Sequence, residues 1–505
     1  MIPNRLSLPT QAPDLVDEAP PAYPAAPSEP GIFQPAACPF ALPLDMVQGE
    51  DVECGYLVVE ENRLASPGRL IRLAVAVFHR PGGAIYPDPV IYLSGGPGAS
   101  ALELIRYQFD LLSEPVFAAG RDLVVFDQRG VGLSRPALDC PSYDELGVDL
   151  LDRRVNGREV SEEEAGVLVL ESLRTCREEL SKVADLSAYN TAASAGDVED
   201  LLLALGYQQV NLWGGSYGTR LALEVMRRYP DGLRSIVLDA VYPPDVDLNT
   251  EAPANYWRAL ERMFSACEAN PVCSRAYPDL RQVFFETVDR LNADPVSREV
   301  EDPFTGESYR SWMNGDTILA LTFQLLYDSK IRYLIPQYIY AASQEDYSAF
   351  DQVRGSLIGL MSLSSRGMMF SVQCHDELAF SSLEAFQTEI ARYPELSGMY
   401  ENSILGGLAY RTCQVWDAGR AEDSANQPVY SAVPTLLMNG EFDPITPPAW
   451  GQHAAETLDH AYIYIYPGVG HGASGVEGCP QEMVAAFLLD PAAAPDDACI
   501  SRMNQ

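Results

Sequence analysis

The sequence predicts an α/β fold: a mostly parallel sheet wrapped by helices, with a large helical cap inserted before the last strands. Three features lead there. From about residue 50, short apolar runs alternate with helical patterns, as crossover connections between parallel strands require. The runs are apolar throughout, as strands covered on both faces must be. The alternation then stops for about 180 residues of mostly helical pattern and resumes near the C-terminus.

The chain opens on "LPTQAPDLVDEAPPAYPAAPSEPG", a Pro/Ala/acid-rich tract that cannot bury itself, so residues 1–37 are expected to form a linker. Residues 38–245 carry the first part of the core, with strands expected in "RLAVAVFHR", "PVIYLSGG", "DLVVFDQRG", "QVNLWGG" and "SIVLDAV". Helices fill the gaps. "SAGDVEDLLLALG" offers Ser194 as an N-cap and Gly206 as a stop. Residues 246–425 form the expected cap, with helical periodicity in "ANYWRALERMFSACEAN", "DLRQVFFETVDRLNADP" and "NGDTILALTFQLLYDSKIRYLIPQYIYAASQ". Residues 426–505 complete the core with strands in "VPTLLMNG" and "AYIYIYPG".

The net charge of −37 comes from acids spread along the whole chain, and a field of that sign repels phosphates. Nucleic-acid binding is therefore not expected. No run reaches the roughly 18–20 apolar residues of a membrane-spanning helix. The N-terminus has no basic stretch followed by an apolar one, so no signal segment is read in the chain as it stands, although the opening tract suits a linker exposed by removal of one. Ten cysteines, none in a CxxC spacing, point to disulfides and to a secreted, cell-surface or periplasmic protein. Pairing neighbours in order would give five local loops, one choice among roughly 900 connectivities.

Ligands of an open parallel sheet bind at the carboxyl ends of its strands, so polar residues there carry the chemistry. Gly214-Gly215-Ser216-Tyr217-Gly218 follows an apolar strand and opens a helix, where a sharp turn would expose the Ser216 oxygen. A serine needs a base to become a nucleophile. Of the five histidines, His79 lies in an early strand pattern, His375 in the cap, and His453 and His460 in an expected surface helix. His471, in "YIYIYPGVGHGAS", alone follows a late strand. Its carboxylate partner is expected in "TLLMNGEFDPITPP", as Asp443 with Glu441 the alternative. The order Ser216, Asp443, His471 is that of the α/β-hydrolase fold. An oxyanion needs fixed N–H donors, expected from Tyr217 and from the "YLSGGPGAS" loop, with Gly96 preferred and Gly95 the alternative. Asp127 and Arg129 in "FDQRGVGLSRP" are expected to pair and to brace these loops.

With these residues in view, the chain resembles the prolyl aminopeptidase and tripeptidyl aminopeptidase group of α/β-hydrolases. "GGPG", "FDQRGVGLS", "GGSYG", "NGEFDPITPP" and "GVGHG" occur in that group's order, and the tail "CPQEMVAAFLLD" is similar to the tripeptidyl branch. The resemblance runs from about residue 40 to 500 and implies a secreted serine exopeptidase with Ser216, Asp443 and His471 in the catalytic roles. It also implies acids in the cap that hold the substrate amine, for which Asp376 and Glu377 in "FSVQCHDELAF" are the candidates. Prolyl members usually carry His before GGPG; Ser94 stands there, which favours the tripeptidyl branch. No metal or organic cofactor is implied. The expected partner is a peptide or a small-molecule ester, since an esterase would use the same triad. A binding protein on this scaffold would be expected to have lost part of the triad.

Overall fold

The computed structural model describes residues 29–43, 46–65 and 68–503. Strands in chain order are β1 (Ile32–Pro35), β2 (Val52–Glu60), β3 (Leu70–Phe78), β4 (Val90–Leu93), β5 (Leu123–Phe126), β6 (Arg154–Val155), β7 (Arg158–Glu159), β8 (Val210–Gly215), β9 (Leu233–Asp239), β10 (Val296–Glu301), β11 (Ser308–Met313), β12 (Thr435–Gly440) and β13 (Ala461–Tyr466). Nine of them form one sheet in the order β1-β2-β3-β5-β4-β8-β9-β12-β13. The steps from β5 to β13 are parallel, and β1, β2, β3 and β5 meet antiparallel.

All seven expected strands are present. Two more precede them: residues 1–28 of the expected linker lie outside the described residues, but Ile32–Pro35 within it pairs with β2 and is part of the sheet. The helix Thr191–Ala204 is capped by Asn190, whose side chain accepts the Ala193 N–H, so it starts earlier than the expected cap Ser194, which is buried inside it. Gly206 follows its end with φ +75°, as a stop glycine should.

Alternate side chains of each central strand face opposite ways. Ile91, Val124, Leu212, Ile236 and Leu437 pack against Val198, Leu201, Leu221 and Val225 of the helices Thr191–Ala204 and Tyr217–Arg228. Val90, Val125, Trp213, Val237 and Met438 pack against Leu102, Ile105, Val484 and Phe487 of Ala101–Ala118 and Cys479–Leu489. Each such side chain, fully buried, contributes about 1.5–3 kcal/mol, which fixes the strand register and with it the position of every strand end.

Between β9 and β12 the chain leaves the sheet. Residues 248–416 are mostly helical, joined by short turns and interrupted by the β10–β11 hairpin, a pair the helical periodicity did not announce. This insertion shares one apolar cluster with the sheet layer: Leu260, Phe264, Phe284, Leu319 and Leu326 are continuous with Tyr242, Phe442, Ile445 and Trp450. The helix Glu162–Leu180, which comes before β8, joins it through Leu173 and Cys176 against Phe370 and Trp416.

The cysteines pair as neighbours in sequence: Cys38–Cys54, Cys140–Cys176, Cys267–Cys273, Cys374–Cys413 and Cys479–Cys499. Opening Cys140–Cys176 releases a loop of 36 residues. Cys140→Ser/Cys176→Ser is expected to lose about 3–4 kcal/mol of unfolding free energy, read from urea denaturation; an unchanged midpoint would contradict it.

Candidate active site

Four loops meet at the carboxyl ends of β4, β8, β12 and β13. The first is the turn from β8 into the helix Tyr217–Arg228. Ser216 sits there at φ 55°, ψ −122°, a conformation that costs a non-glycine residue about 1–3 kcal/mol. Its N–H donates to the Asp239 carbonyl (2.9 Å), and its carbonyl accepts the Thr219 N–H (2.8 Å) and hydroxyl (2.7 Å). A Cβ on Gly218 would lie 1.9 Å from the Leu93 oxygen, and one on Gly214 would lie 2.3 Å from the Gly218 oxygen. Both flanking glycines are thus dictated by close packing of helix on strand. The Ser216 side chain makes no capping hydrogen bond, so it does not serve the helix that begins beside it.

The second loop follows β4. A Cβ on Gly95 would lie 3.1 Å from the Ser216 Cβ and 3.6 Å from the Tyr217 nitrogen, so this glycine lets the loop lie against the serine. Gly96 has φ +107° and precedes a cis peptide to Pro97. Among the described residues neither the Gly96 N–H nor the Tyr217 N–H donates within the chain, which leaves both free as donors. Asp127 braces this loop: its carboxylate accepts the Ser100 hydroxyl (2.8 Å), the Leu133 N–H (2.8 Å) and the Leu102 N–H (3.1 Å). Burial pushes the Asp127 carboxyl up to about 6, against the pull of those three donors. The expected Asp127–Arg129 pair does not form. Arg129 is instead bidentate to Asp197 (2.6 and 2.7 Å) and donates to the carbonyls of Glu61 and Ala188 (both 2.7 Å), so each braces a different neighbour.

The third region joins the loops after β12 and β13. Asp443 is 0% exposed, and its Oδ2 lies 2.8 Å from His471 Nδ1. Oδ1 accepts the N–H groups of Ile445 and Thr446 (both 2.9 Å), and Oδ2 also accepts the Thr446 hydroxyl (2.6 Å). Glu441, the alternative acid, turns away to Arg262 and to the Gly468 N–H (2.8 Å). The insertion grips both loops. Arg258 donates to the carbonyls of Glu441 (3.0 Å) and Asp443, Asn255 donates to that of Ile445 (3.1 Å), and the His471 N–H donates to the Tyr327 carbonyl (3.0 Å). The Tyr327 ring lies 4.4 Å from the imidazole. Burial pulls His471 down, but Asp443, by charge and hydrogen bond, and Asp239, by charge, outweigh it and hold the imidazole above the ordinary histidine range.

Asp376 and Glu377 share a five-residue π turn, Gln373–Glu377, and have different surroundings. Asp376 is spent within the chain: Oδ2 accepts the Thr191 N–H (2.7 Å) and hydroxyl (2.6 Å), and Oδ1 pairs with His375 Nδ1 (2.6 Å). It is therefore not free to meet an ammonium. Glu377 is 9% exposed, and neither of its carboxylate oxygens has a hydrogen-bond partner. Burial raises its carboxyl above the usual range, against the Arg220 guanidinium and the nearby Tyr242 hydroxyl. Its charge is felt at Tyr217, the residue after Ser216.

Thr446, Tyr327, Arg258 and Asp239 were not singled out from sequence. Thr446 had a signal, since an Asp followed three residues on by Thr is the pattern of a carboxylate that closes its own turn. Asp239 had one too, as an acid at the end of a buried strand. Tyr327 and Arg258 act through main-chain contacts across the insertion and leave no mark in composition.

The chain matches the family described as alpha/beta hydrolase fold over residues 88–477. It is 24% identical over 470 residues to serine protease Hip1 of Mycobacterium tuberculosis, covering 88% of this chain and 86% of that one. It is 31% identical over 201 residues to tripeptidyl aminopeptidase of Streptomyces lividans, covering 39% of this chain and 36% of that protein. Carboxylesterase B of M. tuberculosis is 27% identical over 322 residues, 60% of each chain.

A histidine held above its ordinary range sets a pH limb. Activity that needs neutral imidazole should rise with pH through a midpoint above about 6.5, measured as kcat/KM against pH. Thr446→Val, which strips one donor from Asp443, is expected to lower kcat about tenfold with KM little changed; unaltered kcat would remove Thr446 from the site.

Proposed function

The chain belongs to the α/β-hydrolase family, and on that footing we propose that it is a secreted serine aminopeptidase that acts on free peptide N-termini. Ser216 Oγ attacks the scissile carbonyl while His471 Nε2 takes its proton. Nδ1–H donates to Asp443, which fixes the tautomer and stabilises the imidazolium. Negative charge gathers on the carbonyl oxygen, where the N–H groups of Gly96 and Tyr217 meet it. The imidazolium then protonates the leaving amine, the C–N bond breaks, and an acyl group remains on Ser216. Water, deprotonated by the same imidazole, releases the peptide and restores the serine.

Peptide over ester rests above all on one observation: both oxygens of buried Glu377 lack a hydrogen-bond partner. Such a group is costly until a donor arrives, and the ammonium of a free N-terminus brings three. Release of tripeptides is favoured by the likeness to tripeptidyl aminopeptidase and by Ser94 before GGPG. The five disulfides favour an oxidising compartment, and among the described residues no helix is long and apolar enough to cross a membrane. The competing assignment, an esterase with the same triad, draws support from the likeness to carboxylesterase B.

The two are separated by an unblocked peptide arylamide and its N-acetylated twin. The acetylated twin should turn over at least about 100-fold more slowly, because it leaves Glu377 unpaired. Glu377→Gln should raise KM for the unblocked substrate about 10-fold or more while a short acyl ester is cleaved as before. Equal rates on the twins would reject the aminopeptidase and leave the esterase. Ser216→Ala should abolish turnover of every substrate, with mass spectrometry of wild-type products reporting the number of residues released.

A further inference from the structure

Asp239 ends β9, flanked by β8 and β12, and is paired in register with Gly215 and Met438. It is 2% exposed and bonds to two of the four site loops at once. Its carbonyl accepts the Ser216 N–H (2.9 Å). Its Oδ1 accepts the Ala473 N–H (2.7 Å), and its Oδ2 accepts the Ser474 N–H (2.8 Å) and the Ser474 hydroxyl. The nucleophile turn and the turn after His471 therefore hang from one residue of one strand. Ala240, next in the chain, has φ 60°, where a residue with a Cβ is strained, so this strand end is held and not relaxed.

We propose that Asp239 is a positioning residue that sets the distance between Ser216 and His471 and adds a second negative charge near the imidazole. The proposal rests on the serine–histidine chemistry above. Asp239 bonds to neither reacting group; it acts through the main chain of both loops and through its field. Among the described residues the charges acting on His471 are Asp443 and Asp239, and the Thr446 hydroxyl and the Tyr327 ring and carbonyl beside it are neutral. Burial raises the Asp239 carboxyl against the Ser474 and Ala473 donors and His471, and the buried Tyr92 and Tyr466 hydroxyls face it. A carboxylate suits the place because three donors converge on it. An amide of the same shape offers one acceptor oxygen and turns an NH2 toward the others.

Asp239→Asn keeps the carbonyl that holds Ser216 and loosens only the histidine loop. In the full chain with an unblocked peptide arylamide, kcat should fall about 10–100-fold with KM within about threefold, the effect of a misplacement of under an ångström. The acid limb of kcat/KM should move to lower pH, because His471 loses one of the two charges that favour its proton. A fluorophosphonate should still label Ser216 in every molecule, only more slowly. Wild-type kcat and an unmoved limb would overturn the proposal. So would a kcat loss matched by a fall in the labelled fraction with the limb in place, which marks plain unfolding. Should Asp239→Asn not fold, Ser474→Ala removes one donor and leaves both amides; kcat is then expected to drop about threefold, and wild-type kcat would overturn the proposal. Turnover that survives in Ser216→Ala and His471→Ala would instead bring down the serine–histidine chemistry itself.

Discussion

A carboxylate out of reach of water is costly unless its lone pairs are met, and at Asp443, 0% exposed, they are. Two amides and a hydroxyl of its own turn fill the sites that His471 leaves open. That arrangement explains the sequence around it. The turn must close within three residues, so a threonine stands at 446, and its prolines stiffen the backbone that brings the amides round. It also explains why the imidazole sits above its ordinary range although it is buried. Without the filled carboxylate, burial alone would push it the other way.

The helical insertion does more than cover the sheet; it is part of the frame. The loop after β4 accepts a main-chain bond at the Gly98 carbonyl from the Ser365 N–H, the acid loop is held by Arg258 and Asn255, and the histidine loop by Tyr327. Each comes from a different stretch of the insertion. Swinging it away as a body would cut bonds to all three loops, so its motions are constrained to those that leave these contacts in place.

How much of this was legible beforehand follows from the kind of force involved. Six of the seven expected strands lie inside the sheet and are largely apolar runs, as burial on both faces requires, while β13 closes the edge, is only partly buried and is read from its Ala-Tyr-Ile-Tyr-Ile-Tyr run. Ser216, Asp443 and His471 are polar groups at strand ends where the fold itself asks for none, which is why they stood out. β1 and β2 were missed because "VECGYLVVE" lies on the antiparallel flank and carries acids at both ends, and β1 is four residues inside a proline-rich tract. The β10–β11 hairpin was hidden by the helices around it. Asp376 and Glu377 were indistinguishable in sequence: adjacent acids differ only in what surrounds them, and Thr191 and His375, which occupy one of them, come from distant and local chain alike. Arg129 was expected to face Asp127 because they are two residues apart, yet in an extended loop that spacing says little about direction, and Asp197 is the better bidentate partner.

The disulfides have a consequence for how the chain reaches this state. Each joins a cysteine to the next one along, so no bridge encloses or crosses another. A polypeptide made from its N-terminus offers every odd-numbered thiol its rightful mate before any rival has been synthesised. Oxidation that keeps pace with elongation would then assemble the native set in a single pass, with no reshuffling to undo.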